Sequence, residues 1–211
     1  GSLVSSGDLS STTDGFDNVE QFELGYKHEG ENWALYATYF NTVTEETQAE
    51  LTSGLTFVRE YESDGLEIEA EISFGDSFYV RGNLTWTDAE ISKDQDSPAI
   101  EGNTPRRQAD FIYTIVPEYR SDRFAVGVAL QGSSEFYLGD NNGLEQEAYL
   151  LVNLFASWNV TDNLTAFLNV NNLTDEFVLT ESEEGSAAVG SFIRARPLNG
   201  TSSVVGMTYR F

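Results

Sequence analysis

The chain has 211 residues, no cysteine and a formal net charge of −24 at pH 7, with 11 Lys and Arg against 35 Asp and Glu. That balance excludes attraction to nucleic-acid phosphates as its main work, and the missing thiols exclude a disulfide framework and a thiolate metal centre. No run of about 18 apolar residues occurs, which excludes a transmembrane helix but not membrane strands, whose alternating signal leaves mean hydropathy low.

Gly1-Ser2 reads as a cloning scar, and no signal peptide follows, so an upstream part is expected to be missing. Residues 1–14, rich in Ser, Thr, Gly and Asp, read as a loop or disordered lead-in, and 15–211 as one β-domain. The first strand is expected over 17–28, where Phe22, Leu24 and Tyr26 alternate with Gln21, Glu23, Gly25 and Lys27. A turn at 29–32 leads to a second strand over 33–43, and the polar stretch 44–54 reads as a long loop.

The third strand has the cleanest period. Leu66, Ile68, Ala70, Ile72 and Phe74 share one face, and Glu67, Glu69, Glu71 and Ser73 the other, a separation that a helix would scatter. Residues 57–62 extend it. After Gly75-Asp76-Ser77, Phe78, Val80, Gly82, Leu84 and Trp86 alternate with Tyr79, Arg81, Asn83, Thr85 and Thr87. A long polar stretch over 88–106 precedes a strand at 108–119, where Pro117, lacking a ladder donor, belongs near the strand end or at a bulge.

Further strands are expected at 124–137, 149–160 and 164–172, separated by a turn at 120–123, a loop at 139–147 and a turn at 161–163. The longest loop covers 175–198. In the closing strand Val205, Met207, Tyr209 and Phe211 oppose Val204, Gly206, Thr208 and Arg210. The expected fold is therefore all-β, an antiparallel up-and-down meander of about nine strands. Its connections alternate short and long, as in outer-membrane barrels with short periplasmic turns and longer extracellular loops, and strands of about 9–14 residues suffice to cross a bilayer at a tilt.

Several phrases carry a resemblance, in order along the chain. They are Val19-Glu20-Gln21-Phe22-Glu23-Leu24-Gly25-Tyr26-Lys27, Ser63-Asp64-Gly65-Leu66-Glu67-Ile68-Glu69, Asn169-Val170-Asn171-Asn172-Leu173-Thr174-Asp175-Glu176-Phe177 and Arg196-Pro197-Leu198-Asn199-Gly200, with the ending Met207-Thr208-Tyr209-Arg210-Phe211. Together they resemble the C-terminal part of TonB-dependent outer-membrane receptors. The resemblance implies a segment of a twenty-two-stranded barrel around a plug. It also implies energised uptake of a scarce substrate such as a siderophore, cobalamin or glycan across the bacterial outer membrane. Implied partners are outer-membrane lipid, an extracellular small-molecule substrate, the TonB energy-transducing complex through an N-terminal part not present here, and the barrel assembly machinery through Phe211. Loops 44–54, 88–106, 139–147 and 175–198 would meet the substrate, and Val205, Met207, Tyr209 and Phe211 would face lipid.

Glu67, Glu69 and Glu71, with Glu23 and Arg81, are candidates for a charged lumen wall, and polar residues are what a watery or plugged interior allows. No carboxyl sits in an apolar setting that would raise its pKa, so no enzyme activity is expected. Trp33, Trp86, Trp158, Tyr39, Phe40, Phe136 and Tyr137 fall near expected strand ends; they could stack sugars, and interfacial girdles account for them without a ligand. Asp140-Asn141-Asn142-Gly143-Leu144-Glu145 has oxygen ligands but not the spacing of a Ca²⁺ loop, and reads as an acidic turn. The single histidine, His28, reads as a surface turn residue. No metal or cofactor and no nucleic-acid partner is expected. The competing reading is a soluble all-β carbohydrate-binding module that uses its Trp residues.

Overall fold

The computed structural model describes residues 18–49, 56–182 and 194–211. In chain order the strands are β1 (Asn18–Glu29), β2 (Trp33–Ala49), β3 (Thr56–Phe74), β4 (Phe78–Asp94), β5 (Phe111–Arg120), β6 (Phe124–Ser133), β7 (Phe136–Tyr137), β8 (Glu145–Gln146), β9 (Tyr149–Asn159), β10 (Leu164–Asn171), β11 (Leu179–Ser182), β12 (Ala195–Pro197) and β13 (Ser202–Tyr209). Nine of them form one antiparallel sheet in the order β1-β2-β3-β4-β5-β6-β9-β10-β13, while β7-β8 and β11-β12 are small hairpins inside two connections. The nine-stranded meander is the fold expected from the period-2 pattern.

The connections do alternate. Tight turns join β1 to β2, β3 to β4, β5 to β6 and β9 to β10 at one end of the sheet. Gly30 N–H donates to the Trp33 carbonyl and Ser121 N–H to the Phe124 carbonyl, both at 2.8 Å, and Gly75 takes φ +64°, which side chains rarely tolerate. The long connections all leave from the opposite end.

Two polar stretches expected as loops are partly strand. β2 continues to Ala49, β3 begins at Thr56 and β4 runs to Asp94. Thr42, Val43, Thr44 and Thr47 favour extended backbone, and the ladder between β2 and β3 stays in register from Trp33↔Ile72 to Ala49↔Thr56. Polarity on both faces does not prevent a strand when both faces are wet. In contrast, β6 stops at Ser133 rather than reaching 137, because Phe136 and Tyr137 pair instead with Gln146 and Glu145. Pro117 lies near the end of β5, and the paired register to β6 lapses at Val116 and Pro117 before resuming at Glu118↔Gly127.

A single sheet buries little by itself. The buried apolar residues are Ile91, Ala109, Leu138 and Val178, all at the loop end, whereas Phe22, Phe74, Val205 and Met207 on the sheet are 59%, 61%, 74% and 72% exposed. No second layer covers either face among the described residues, whereas the sandwich of a carbohydrate-binding module would pack one apolar face against another.

On one face the backbone is approached closely. Phe40 lies across Gly65, Phe155 across Gly127 and Phe167 across Gly206, each where a Cβ would fall on the ring. Gly127→Val should therefore cost about 1–3 kcal/mol by overpacking, and much of that should return when Phe155→Ala is added. Equilibrium unfolding of the two variants checks it, and equal stability of Gly127→Val and the parent would refute the close approach of Phe155 to Gly127.

Candidate functional site

The register gathers the five charged candidates on one face. Glu67 stands opposite Thr38 and Thr85, Glu69 opposite Tyr36 and Asn83, and Glu71 opposite Ala34 and Arg81. Glu23 pairs with Phe40, which pairs with Gly65, so β1 presents Glu23 on this same side. The wall is not uniformly anionic. Glu118, only 7% exposed, accepts from Arg120 Nε at 2.6 Å and meets Arg81 Nη2 at 3.5 Å, so Arg81 turns from its cross-strand neighbour Glu71 to a buried carboxylate. Nearer β1, Lys27 pairs with Glu29 at 2.9 Å and lies 4.9 Å over the Tyr36 ring.

No ion pair ties Glu67, Glu69 or Glu71 among the described residues. Two shallow polar grooves run over them. One of about 470 Å³ is lined by Glu69, Glu71, Arg81, Asn83 and Thr114, and one of about 220 Å³ by Tyr36, Thr38, Glu67, Asn83 and Thr85. Open carboxylates flanked by hydroxyls and an amide can hold cationic or hydrogen-bonding groups.

The opposite face carries an apolar band with two edges. At the turn end, β-strand parity puts His28, Trp33, Phe74, Phe78, Tyr119, Phe124, Trp158 and Tyr209 in one row. Neighbours touch: His28 stacks on Trp33 at 4.2 Å, and Tyr119 lies 4.8 Å from Phe78 and 5.3 Å from Phe124, ring centre to ring centre. The other edge is the row Leu24, Tyr39, Leu66, Trp86 and Phe111, and the next row on this face is Phe22, Asn41, Asp64 and Asp88, polar on β2, β3 and β4. At roughly 3.3 Å per residue, Phe78 to Trp86 spans about 26 Å along the strand, or roughly 20 Å across a sheet tilted by about 40°. Val205, Met207 and Tyr209 lie within this face opposite Leu168, Ala166 and Leu164, and Phe211 follows, with its ring 5.2 Å from that of Tyr209. A shallow hollow of about 490 Å³ opens where Ala156 and Ala166 sit between Phe124, Trp158, Leu168 and Val205.

The aromatic candidates divide. Trp33 and Trp158 belong to the turn-end row. Trp86 and Tyr39 form the far row, in mid-strand because β2 and β4 run on past them. Phe40 is on the charged face over Gly65, and Phe136 and Tyr137 lie in the β7-β8 hairpin, so these three are no part of either row.

At the loop end the Asp140 carboxylate is occupied by Arg59 Nη1 and by the Arg106 N–H, both at 3.0 Å. Among the described residues no group of three or more His, Asp or Glu could hold a metal ion, and the acidic turn ties loops together instead. Two residues that periodicity does not mark are central here. Arg59 is an isolated cation in an acidic stretch, and Asn172 is 3% exposed at φ +49°. Of the two, only Asn172 had a sequence signal, the tandem Asn171-Asn172 at a strand end.

A family model described as TonB dependent receptor-like, beta-barrel matches residues 18–173. The chain is 28% identical over 170 residues to the ferrioxamine B receptor of Salmonella typhimurium, covering 74% of this chain and 24% of that protein. It is 22% identical over 213 residues to the probable TonB-dependent siderophore receptor PiuA of Acinetobacter baumannii, covering 92% and 27%. The crystal structure of that receptor superposes with a TM-score of 0.73, covering 90% of this chain and 28% of that one. The ferric yersiniabactin uptake receptor FyuA from Yersinia pestis superposes with a TM-score of 0.75 at 20% identity, covering 90% and 29%. The chain spans about a quarter of the length of the curated relatives it matches.

Proposed function

The chain belongs to the TonB-dependent receptor-like β-barrel family of the bacterial outer membrane, and from that premise we propose that it forms the C-terminal wall of a receptor for a ferric siderophore. Members of this family are receptors and transporters rather than enzymes. The observation that carries the placement is the apolar band, closed by an aromatic row at the turn end and, on β2, β3 and β4, by Asn41, Asp64 and Asp88 at the other.

In this reading Val205, Met207, Tyr209 and Phe211 face lipid. Glu23, Glu67, Glu69, Glu71 and Arg81 line the lumen, where a plug or a passing solute meets them. The short turns lie in the periplasm and the long connections outside, where they contact the substrate. Phe211 serves as the assembly signal, and the contact with TonB belongs to a part of the receptor beyond this chain. A siderophore is preferred to cobalamin or a glycan because two matched relatives are named as a ferrioxamine and a siderophore receptor.

The test is growth of a strain stripped of its own siderophore receptors, on iron-poor medium, carrying the receptor that contains this chain. A ferric hydroxamate should restore growth, and deletion of TonB should abolish it. Rescue by cobalamin or a glycan but by no siderophore would overturn the substrate, and rescue independent of TonB would overturn the energised mechanism.

A further inference from the structure

Arg59 lies on β3 beyond the apolar band, with a side chain only 14% exposed. Its guanidinium engages two carboxylates from different connections. Asp94, at the end of β4, is 2% exposed and bonds Arg59 Nε and Nη2. Asp140, in the turn between β7 and β8, meets Nη1 at 3.0 Å. The second oxygen of each carboxylate is also committed. Asp94 Oδ1 accepts the Asp96 and Ser97 N–H groups at 2.9 and 2.8 Å, and Asp140 Oδ1 accepts the Arg106 N–H at 3.0 Å.

Around this pair the two connections are stitched directly. Thr104 N–H donates to Asn142 Oδ1 at 3.1 Å while Asn142 Nδ2 donates to the Thr104 carbonyl at 2.8 Å. Asn103 Nδ2 donates to the Asp140 carbonyl at 2.8 Å, and Arg107 N–H to the Tyr137 carbonyl at 2.7 Å. Arg107 holds φ +63° at one of these clasps, a region that such a residue keeps only when its surroundings fix it, and Asn142 holds φ +51°, which asparagine tolerates. Beneath lie Ile91, Ala109 and Leu138, at 0%, 3% and 4% exposure.

We propose that Arg59 is a positioning residue that makes the β4-β5 and β6-β9 connections one body, so that a ligand meets a preassembled surface and the two segments open together. A single planar fork reaches the two carboxylates through separate nitrogens, a spread that a compact ammonium does not reproduce. Without it, the buried Asp94 and the half-buried Asp140, one from each segment, lose their shared counter-charge, so both are destabilised at once. The functional meaning of this coupling rests on the reading that the loop end faces outward.

The experiment is hydrogen exchange on the intact receptor without ligand, comparing the parent with Arg59→Met and Arg59→Lys. In Arg59→Met, amides in both 95–110 and 134–148 should exchange at least about tenfold faster, equivalent to roughly 1.4 kcal/mol of opening free energy, while β2 to β5 within the apolar band keep their protection. Arg59→Lys should fall between the two. A response confined to one segment, no response, or equal loss of protection throughout the strands would overturn the coupling. Orientation is read separately, by labelling Ala99→Cys, at an exposed position of the β4-β5 connection, in whole cells with a membrane-impermeant maleimide, in a chain that has no other cysteine. Failure of that labelling would sink the outward placement and leave the coupling standing.

Discussion

Asn172→Ala is expected to detach the connection between β10 and β13 at its root, at a cost of about 3 kcal/mol. The residue bonds four others, Asn153, Glu176, Asn199 and Thr201. Its N–H donates to Asn153 Oδ1 at 2.9 Å, and its Nδ2 donates to the Glu176 and Asn199 carbonyls at 2.9 and 3.2 Å. Its Oδ1 accepts the Glu176 N–H at 2.8 Å, and its own carbonyl accepts Thr201 Oγ1 at 2.7 Å. Truncation removes three part-buried hydrogen bonds to backbone groups of Glu176 and Asn199, each worth roughly 0.5–1.5 kcal/mol. It also places Ala in the left-handed region, about 1–2 kcal/mol unfavourable.

Two further variants separate these contributions. Asn172→Gly removes the side chain but tolerates φ +49°, so it should be about 1 kcal/mol milder than Asn172→Ala. Asn172→Asp keeps the acceptor for Glu176 N–H but turns an anion toward two carbonyls, and it should be no milder than Ala. The measurement is limited proteolysis within 173–201 together with equilibrium unfolding. Equal cost for Gly and Ala would show that backbone conformation has no share.

The architecture was readable because a strand with one apolar face must alternate strictly, as Leu66 to Phe74 and Val205 to Phe211 do. Past Trp86 and Tyr39 that requirement ends. Asp88, Glu90, Thr44 and Glu46 belong to strands whose two faces are both polar, so nothing in their pattern distinguishes them from loops. Arg59 was illegible for another reason, since its partners are 35 and 81 positions away in sequence and no local spacing encodes such a meeting. The five charged candidates share one face through the cross-strand register, and the pairing of Arg81 with Glu118 across β4 and β5 depends on register too, which strand parity leaves open. Phe40 misled because its position near a presumed strand end suggested an interface, whereas Gly65 opposite it is the feature that gives its ring a place.

Two adjacent residues of β4 give a direct test of which face meets lipid. Leu84 stands between Ile68 and Tyr113 on the apolar face, and Asn83 between Glu69 and Thr114 on the charged face. Leu84→Arg should destabilise the folded receptor in lipid vesicles by about 2–4 kcal/mol, the cost of a guanidinium near the bilayer midplane. The lower part of that range is expected, because an arginine there can stretch toward the row of Asp64 and Asp88. Asn83→Arg should lie within about 1 kcal/mol of the parent, with any gain coming from Glu69 directly across the strand pair. Equilibrium unfolding from vesicles reads both. If Leu84→Arg costs nothing while Asn83→Arg is severe, the two faces are assigned the wrong way round; if both are neutral, neither face meets hydrocarbon, because only a medium without water makes the difference between neighbours one peptide apart so large.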